Sequence, residues 1–280
     1  MSSLKEQFDR DGFVILPAVY SSGEQAALRE ASTRIFASAP TFPGDRTNIR
    51  FDWIARHPEL RRIALNEKFV RCMKEVAGRD FLVMPDSAFM DSCYGGWHRD
   101  TGPQEKYGNL FHYEPGFLLI NVALYLQDNH ELYAGGLDIV PGSHKTQATW
   151  WQKQKSSNSK VKFVFHHLIK RKILSDDFVH RRKGAYSIPS RAGDVVLFHH
   201  QCDHRATQLK ASAVPELRRK LALFFSCSAN NHLARSYVDH CRGRSDTIYL
   251  KDYAYPPGFF EDIGSALPEN FYRDDLIVVK

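Results

Sequence analysis

Three triplets place an imidazole two residues before a carboxylate: His57-Pro58-Glu59, His98-Arg99-Asp100 and His112-Tyr113-Glu114. In an extended strand this spacing puts both side chains on one face. There they can hold a metal, pass a proton or simply bond each other. With 13 His and 32 Asp plus Glu in 280 residues, random placement gives roughly one or two such triplets. The pattern alone selects none of them; context does. His57 stands where a helix N-cap would fall, with Pro58 at the first helical position and Glu59 in the first turn, which explains that triplet without chemistry. His112 and Glu114 precede Pro115-Gly116, a turn in which the two side chains need not share a face. His98 and Asp100 follow "GGW" after a β-rich run, at the start of a strand or the mouth of a sheet.

A mononuclear metal site needs at least one further protein ligand. "GDVVLFHHQCDH" supplies His199, His200 and His204 at the end of a buried strand. Two histidines and one carboxylate leave three coordination positions open, the ligand set of non-haem Fe(II) oxygenases. Two open positions suit a chelating cosubstrate and the third suits dioxygen. Fifteen residues beyond His204, in "PELRRKLALFFS", stands Arg219, flanked by Arg218 and Lys220. A return through "LKASAVPEL" would bring Arg219 onto a strand beside His204, and a guanidinium there can grip the remote carboxylate of a diacid.

The elements that must position these groups change character along the chain. "SLKEQFDRDG" predicts a helix ending near Gly12, and "FVILPAV" a strand closed by Pro17. "SSGEQAALREASTRIFAS" opens with two overlapping capping boxes, Ser21 to Glu24 and Ser22 to Gln25, and offers Ala27, Leu28, Ala31, Ile35 and Phe36 as its apolar face. A second helix is expected across "HPELRRIALNEKFVRCMKEVAG". From Phe81 onward, short runs rich in Val, Ile, Leu and Phe alternate with Gly, Pro, Asp and Ser: "FLVMPDSAFMDSC", "GFLLINVALYLQD", "LDIVPGSH", "AYSIPS", "DVVLFHH" and "KLALFFSCSA". These predict a mainly β, double-sheet architecture with the early helices packed outside it. Residues 1–80 form a helical buttress and 81–280 the β core of a single domain, interrupted by a basic insertion over 150–183.

Composition sets the remaining bounds. The chain is 43% hydrophobic and 25% charged, an ordinary globular balance. It has no apolar run of the roughly 20 residues that span a bilayer. The opening "MSSLKEQFDRDG" has no apolar signal core, so the expectation is a cytoplasmic protein. Cys72, Cys93, Cys202, Cys227 and Cys241 form no CxxC pair, which argues for free thiols and against a zinc knuckle. The formal charge is +6, and the excess is local. From Lys153 to Lys183, ten Lys and Arg stand against Asp176 and Asp177, a net +8. Such a field suits an anionic small-molecule or lipid-linked substrate, or peripheral contact with an anionic membrane surface. No nucleic-acid-binding motif accompanies it.

At this point "WHRD", "GGLDIVPGSHK", "GDVVLFHHQCDH" and "RRKLALFF", with the opening "FDRDGFVIL", together resemble the phytanoyl-CoA dioxygenase family in order and approximate spacing. The resemblance covers nearly the whole chain. It implies a double-stranded β-helix (jelly roll) that binds Fe(II) and 2-oxoglutarate. The implied reaction oxidises a substrate C–H while 2-oxoglutarate is converted to succinate and carbon dioxide. Carried onto this sequence, it makes His98, Asp100 and His204 the metal ligands, selecting His204 over His199 and His200. It makes Arg219, rather than Arg218, the 2-oxoglutarate residue. It also implies that His144 of "PGSH" is structural and that Asp100, where related halogenases carry a small residue, excludes halide from the metal. Ala206 departs from the small hydroxyl residue that many relatives carry there, with Thr207 next. Trp97 and "YGNLFHY" are candidate pocket walls.

Two other readings compete. A cupin-type metalloenzyme without 2-oxoglutarate would have no remote carboxylate for Arg219 to hold. A non-catalytic jelly-roll module docking on anionic partners would have no need for the complete set of four groups. If the basic insertion meets an anionic substrate, neutralising Lys170, Arg171 and Lys172 together will raise the Michaelis constant for that substrate and flatten its salt dependence. Steady-state kinetics across a salt series reads both effects, and no change in either defeats the idea.

Overall fold

The computed structural model describes residues 3–78, 81–106, 108–146, 184–251, 259, 270–273 and 276–279. The basic insertion over 150–183 lies outside them. Two antiparallel sheets form the centre, with helices on one side. Among the described residues the larger sheet has eight strands and the smaller three.

The N-terminal elements follow their sequence signals. α1 (Leu4–Asp11) starts on a Ser3–Glu6 capping box and ends at Gly12, whose φ of 80° is the left-handed C-cap that glycine adopts freely. β1 (Phe13–Leu16) follows at once. α2 (Ser22–Ala37) uses the first of the two overlapping boxes, Ser21 with Glu24. It buries Leu28, Ala31 and Ile35, while Ala27 stays exposed. β2 (Ile49–Phe51) and the single turn α3 (Trp53–Arg56) come next. The second long helix expected from the sequence is two helices, α4 (Pro58–Ala64) and α5 (Glu67–Ala77). Asn66 causes the break: its side chain accepts from the Phe69 N–H and caps a new helix start.

The sheets are built from β3 (Phe81–Asp91), β4 (Leu119–Tyr125), β5 (Leu137–Ile139), β6 (Tyr186–Ser187), β7 (Val195–His199), β8 (His204–Ala206), β9 (Leu221–Ala229), β10 (Asn270–Arg273) and β11 (Leu276–Val279). The large sheet runs β1-β7-β4-β9-β3-β11-β10, with β2 also on β3; the small sheet runs β6-β5-β8. Alternation along the central strands separates two cores. Ile120, Val122 and Leu124 of β4, with Leu221, Leu223 and Phe225 of β9, face the helices and pack with Phe8, Trp53, Leu60 and Phe69. Their neighbours Ala123, Tyr125 and Ala222 face the other way, onto Leu137 and Ile139 of the small sheet. The site sits on this second face. α7 (His232–Arg242) covers the far end of the sheet through Ala234, Tyr237 and Val238 against Leu82 and Met84. α6 (Gly102–Lys106) is a short turn after the HxD triplet.

Two details matter later. First, β9 does not lie beside β8, as a return through "LKASAVPEL" was expected to make it. It runs in the large sheet between β3 and β4, paired to both. Second, β3 is irregular. Val83 pairs with Cys227 and Ser87 with Phe225, so Met84, Pro85 and Asp86 face Ser226 alone. Pro85, which has no N–H to give a ladder, sits in that bulge.

The five cysteines are free thiols, and no described helix is long and apolar enough to cross a membrane. Gly12 joins the buttress to the core: its carbonyl accepts from the His199 N–H at 2.8 Å, and a Cβ there would run into the His144 ring and the Cys202 thiol. Gly12→Ala combines this clash with a positive φ, which costs roughly 1–3 kcal/mol. A melting temperature lowered by several degrees is the expected outcome, while Gly23→Ala, with nothing within 4 Å of the added methyl, leaves it unchanged or higher.

Candidate metal and cosubstrate site

His98 and His204 form an isolated antiparallel bridge at the edge of the small sheet. The His98 N–H donates to the His204 carbonyl at 2.9 Å, and the His204 N–H returns the bond at 3.0 Å. A directly opposed pair projects both side chains to one face, and the two imidazole centroids stand 4.2 Å apart. Asp100, two residues on, joins them: its carboxylate lies 3.5 Å from His98 Nε2 and 3.6 Å from His204 Nε2. One ligand atom from each of the three lies within 4.8 Å of the others.

Tautomers are set by the backbone. His98 Nδ1 is 2.7 Å from the Gly96 carbonyl, and His204 Nδ1 is 3.0 Å from the Cys202 carbonyl. A carbonyl can only accept, so each Nδ1 carries the proton and each Nε2 presents its lone pair to the shared space. Burial pushes the His204 pKa down to about 4, which keeps that ring neutral at physiological pH. Burial acts the same way on His98, but its hydrogen bond to Asp100 and the charge there outweigh it and raise the pKa. Burial would raise the Asp100 pKa too; the charge of His204 and the hydrogen bond from His98 hold it below the usual carboxylate range instead. With the His98 proton displaced by the ion, two Nε2 lone pairs and one carboxylate would fit a divalent transition metal.

The surroundings fix this set. Asn121, on the inner face of β4, donates to Asp100 Oδ2 at 2.5 Å, and its carbonyl oxygen meets His200 Nδ1 at 3.2 Å and the Ser226 hydroxyl at 3.3 Å. Arg99, between the two ligands of the triplet, points the opposite way. Its guanidinium bonds the Asp203 carboxylate (3.3 Å) and the carbonyls of Ser143 (2.7 Å) and Thr146 (2.8 Å). Since Asp203 immediately precedes His204, this tie reinforces the bridge from behind. "PGSH" is therefore a structural clamp. His144 meets the Asp9 carbonyl and lies beside the His199 ring.

The other histidines fall away. His199 is buried against Phe8 and His144, and burial pushes its pKa down to about 3. His200 lies 3.8 Å from Asp100 but bonds Asn121. His112 pairs with Glu105 at 3.5 Å rather than with Glu114. His57 sits at the helix start with Glu59 3.8 Å away.

The triad opens into a cavity of about 730 Å³ between the sheets. Among the described residues, neither Trp97 nor 108–113 lines it. Trp97 is buried with the Arg205 guanidinium 5.0 Å from its ring. Arg219 does not line it either. It sits just before β9 with the parity of Leu221 and Leu223, on the helix side, where it is bonded to Asp91 (2.9 and 2.5 Å) and Glu216 (2.9 Å). Lys220, one residue on, has the inner parity of Ala222 and Phe224 and lines the cavity. It is 3% exposed. Its ammonium donates to the Cys93 carbonyl at 2.8 Å and stands 5.3 Å from the Tyr94 ring centroid. No carboxylate is ion-paired with it among the described residues. Burial pushes its pKa down to about 8, so it remains largely protonated at neutral pH. The buried Tyr125 hydroxyl, from the same end of the cavity, has no hydrogen-bond partner. Thr207, next to Ala206, is committed to Asp138 at 2.9 Å.

Comparison with known proteins shows the family and the fold. A family model described as phytanoyl-CoA dioxygenase (PhyH) matches residues 8–214. An ectoine dioxygenase of Sphingopyxis alaskensis is 24% identical over 158 residues, 51% of this chain and 49% of the relative; the chain thus matches about half the length of that protein. The structure of HygX from Streptomyces hygroscopicus with nickel and 2-oxoglutarate bound superposes with a TM-score of 0.58 at 18% identity, over 81% of this chain and 87% of that one. EctD from S. alaskensis in its apoform gives 0.55 at 19% identity, over 80% and 75%. Both share the fold. The chain belongs to the phytanoyl-CoA dioxygenase (PhyH) family of iron- and 2-oxoglutarate-dependent oxygenases.

Proposed function

We propose that this protein is an Fe(II)- and 2-oxoglutarate-dependent dioxygenase that hydroxylates an aliphatic C–H of a small-molecule substrate, releasing succinate and carbon dioxide. The observation that carries the reading is one cavity with two complementary features. At one place two Nε2 lone pairs and a carboxylate converge; at another a buried ammonium and an unpartnered phenol wait for an anion. The two facing sheets are read as a double-stranded β-helix.

In this reading His98, Asp100 and His204 hold the metal, and the bound metal and 2-oxoglutarate supply the oxidising power. The chain's own residues position and protect. Asn121 keeps Asp100 turned toward the histidines, and Arg99 holds the two histidine strands together through Asp203 and the Ser143 carbonyl. Lys220 and Tyr125, in place of Arg219, receive the far carboxylate of 2-oxoglutarate. A buried cation without a counter-ion is costly, and a carboxylate there offsets that cost while satisfying the phenol. Phe198 and Phe224, which line the same space, keep water from the reacting C–H. Asp100 would serve as the carboxylate ligand where a halide would otherwise bind, which favours hydroxylation over halogenation. A cupin-type site without cosubstrate would leave Lys220 and Tyr125 unexplained. An anionic substrate, phosphorylated or lipid-linked, and peripheral attachment to a membrane surface rest on the charge of 150–183 alone.

Under nitrogen, Fe(II) with 2-oxoglutarate is expected to give a visible metal-to-ligand charge-transfer band, and admitting oxygen to give succinate. His98→Ala and His204→Ala should abolish both; a silent wild-type spectrum would overturn the proposal. Titrating 2-oxoglutarate against the same band separates the two candidates for its remote carboxylate. Lys220→Met should weaken binding by about 10- to 100-fold, the loss of a charged hydrogen bond. Tyr125→Phe should weaken it several-fold, and Arg219→Ala should leave it within about twofold.

A further inference from the structure

One carboxylate in the cavity is used by nothing described so far. Asp86 leaves the ladder at the β3 bulge, where three residues face Ser226 alone, and lines the cavity beyond the triad. Its Oδ2 accepts from the Tyr237 hydroxyl at 3.1 Å. Its Oδ1 is buried and has no hydrogen-bond partner. Among the described residues no basic side chain is ion-paired with it.

Position along β9 puts Asp86 and Lys220 at opposite ends. Lys220 and Ser226, the residue facing Asp86, are six residues apart on one strand, roughly 20 Å at 3.3 Å per residue. The triad lies toward the Asp86 end, because Asn121, which pairs with Ser226, is the residue that holds Asp100. Asp86 is also near enough for the Asp100 charge to act on it. Thus 2-oxoglutarate reaches from the metal toward Lys220, and the opposite side is left for substrate. Its walls are Phe51 and Tyr249, stacked at 5.1 Å.

We propose that Asp86 is the substrate anchor and that the substrate is a small molecule carrying a basic nitrogen, whose N–H bonds Oδ1 while the rest of the molecule lies against the apolar wall with a C–H facing the metal. The inference rests on the oxygenase reading above. A neutral donor would satisfy the lone pair of Oδ1 but leave the buried charge; a protonated amine offsets both. The aromatic faces of Phe51 and Tyr249 can receive a cation; Arg244 also lines the cavity, so the preference for a base is carried by Asp86 itself. Burial pushes the Asp86 pKa up to about 7, the state of a carboxyl that gains from an arriving positive charge. Tyr237 locks the carboxylate plane and leaves Oδ1 as the acceptor.

The test uses three ligands of one shape: cyclohexylmethylamine, cyclohexylmethanol and cyclohexanecarboxylate. They are titrated calorimetrically, under nitrogen, into protein loaded with Fe(II) and 2-oxoglutarate. The amine should bind at least tenfold more tightly than the alcohol or the acid. Asp86→Asn should erase that preference while metal and 2-oxoglutarate affinities stay within twofold, and Tyr237→Phe should reduce it by a smaller factor. An amine that binds no better than the alcohol, or a preference that survives Asp86→Asn, overturns the inference. If Asp86→Asn does not fold, the wild-type ranking and Tyr237→Phe still decide. Failure of the oxygenase reading would show separately, as absent 2-oxoglutarate binding.

Discussion

Two backbone hydrogen bonds, His98 to His204 and back, are the constraint on which the site depends. They bring residues more than a hundred positions apart into direct opposition, and an opposed antiparallel pair has no choice about where its side chains point. Everything else at the metal position follows from that pairing. Gly96 and Cys202 offer carbonyls to the two Nδ1 atoms, so both rings show the same nitrogen to the same volume. Asp100 is carried to that volume by the period of the strand. Arg99, forced to the other face by the same period, becomes the tie that holds the pairing together through Asp203 and the 143–146 turn. The four letters of "WHRD" thus alternate between packing and chemistry.

The same alternation governs the opposite end of the cavity. β9 presents odd-numbered residues to the helices and even-numbered residues to the site. Arg219 and Lys220 carry similar charge and sit side by side, yet one residue of parity separates a surface ion pair from a buried ammonium. Arg219 is already satisfied by two carboxylates. Lys220 is satisfied by a single carbonyl, and the buried Tyr125 phenol shares its end of the cavity. The asymmetry is energetic as well as geometric: a half-exposed pair contributes little, whereas an uncompensated buried charge is expensive and persists only where something else offsets it.

Lys220 stands at one end of the cavity and Asp86 toward the other, where Arg244 also contributes to the lining. The cluster of His98, Asp100 and His204 between them is closer to the carboxylate end. The bulge at Met84-Pro85-Asp86 is what turns a strand residue into a cavity group. A proline inside a central strand would be a defect if the ladder ran straight through it; here it marks where the ladder is interrupted so that Asp86 can face inward.

Much of this was legible in the chain. The capping boxes, Gly12 as a helix end, the β-rich runs after Phe81 and the HxD pair depend on local spacing and residue type, which the sequence carries directly, whereas the residues left His199, His200 and His204 open as the further ligand and the family resemblance chose His204. Asn66 as a helix breaker was also readable, from a polar cap residue followed by an apolar run, although the apolar period across it suggested one helix. Asn121 could have been found as a lone amide in an otherwise apolar strand, and Lys220 by counting alternate residues back from Phe224. What the residues alone did not contain is which strand lies beside which. The expectation for Arg219 assumed β9 next to β8, and sheet order is a property of long-range pairing that no local period encodes. Sequence determined what chemistry the chain can do, because ligand types and their spacing are local. Only the tertiary structure decided which cation faces the cavity and which carboxylate is left without a partner, because both depend on the register and neighbours of strands far apart in the chain.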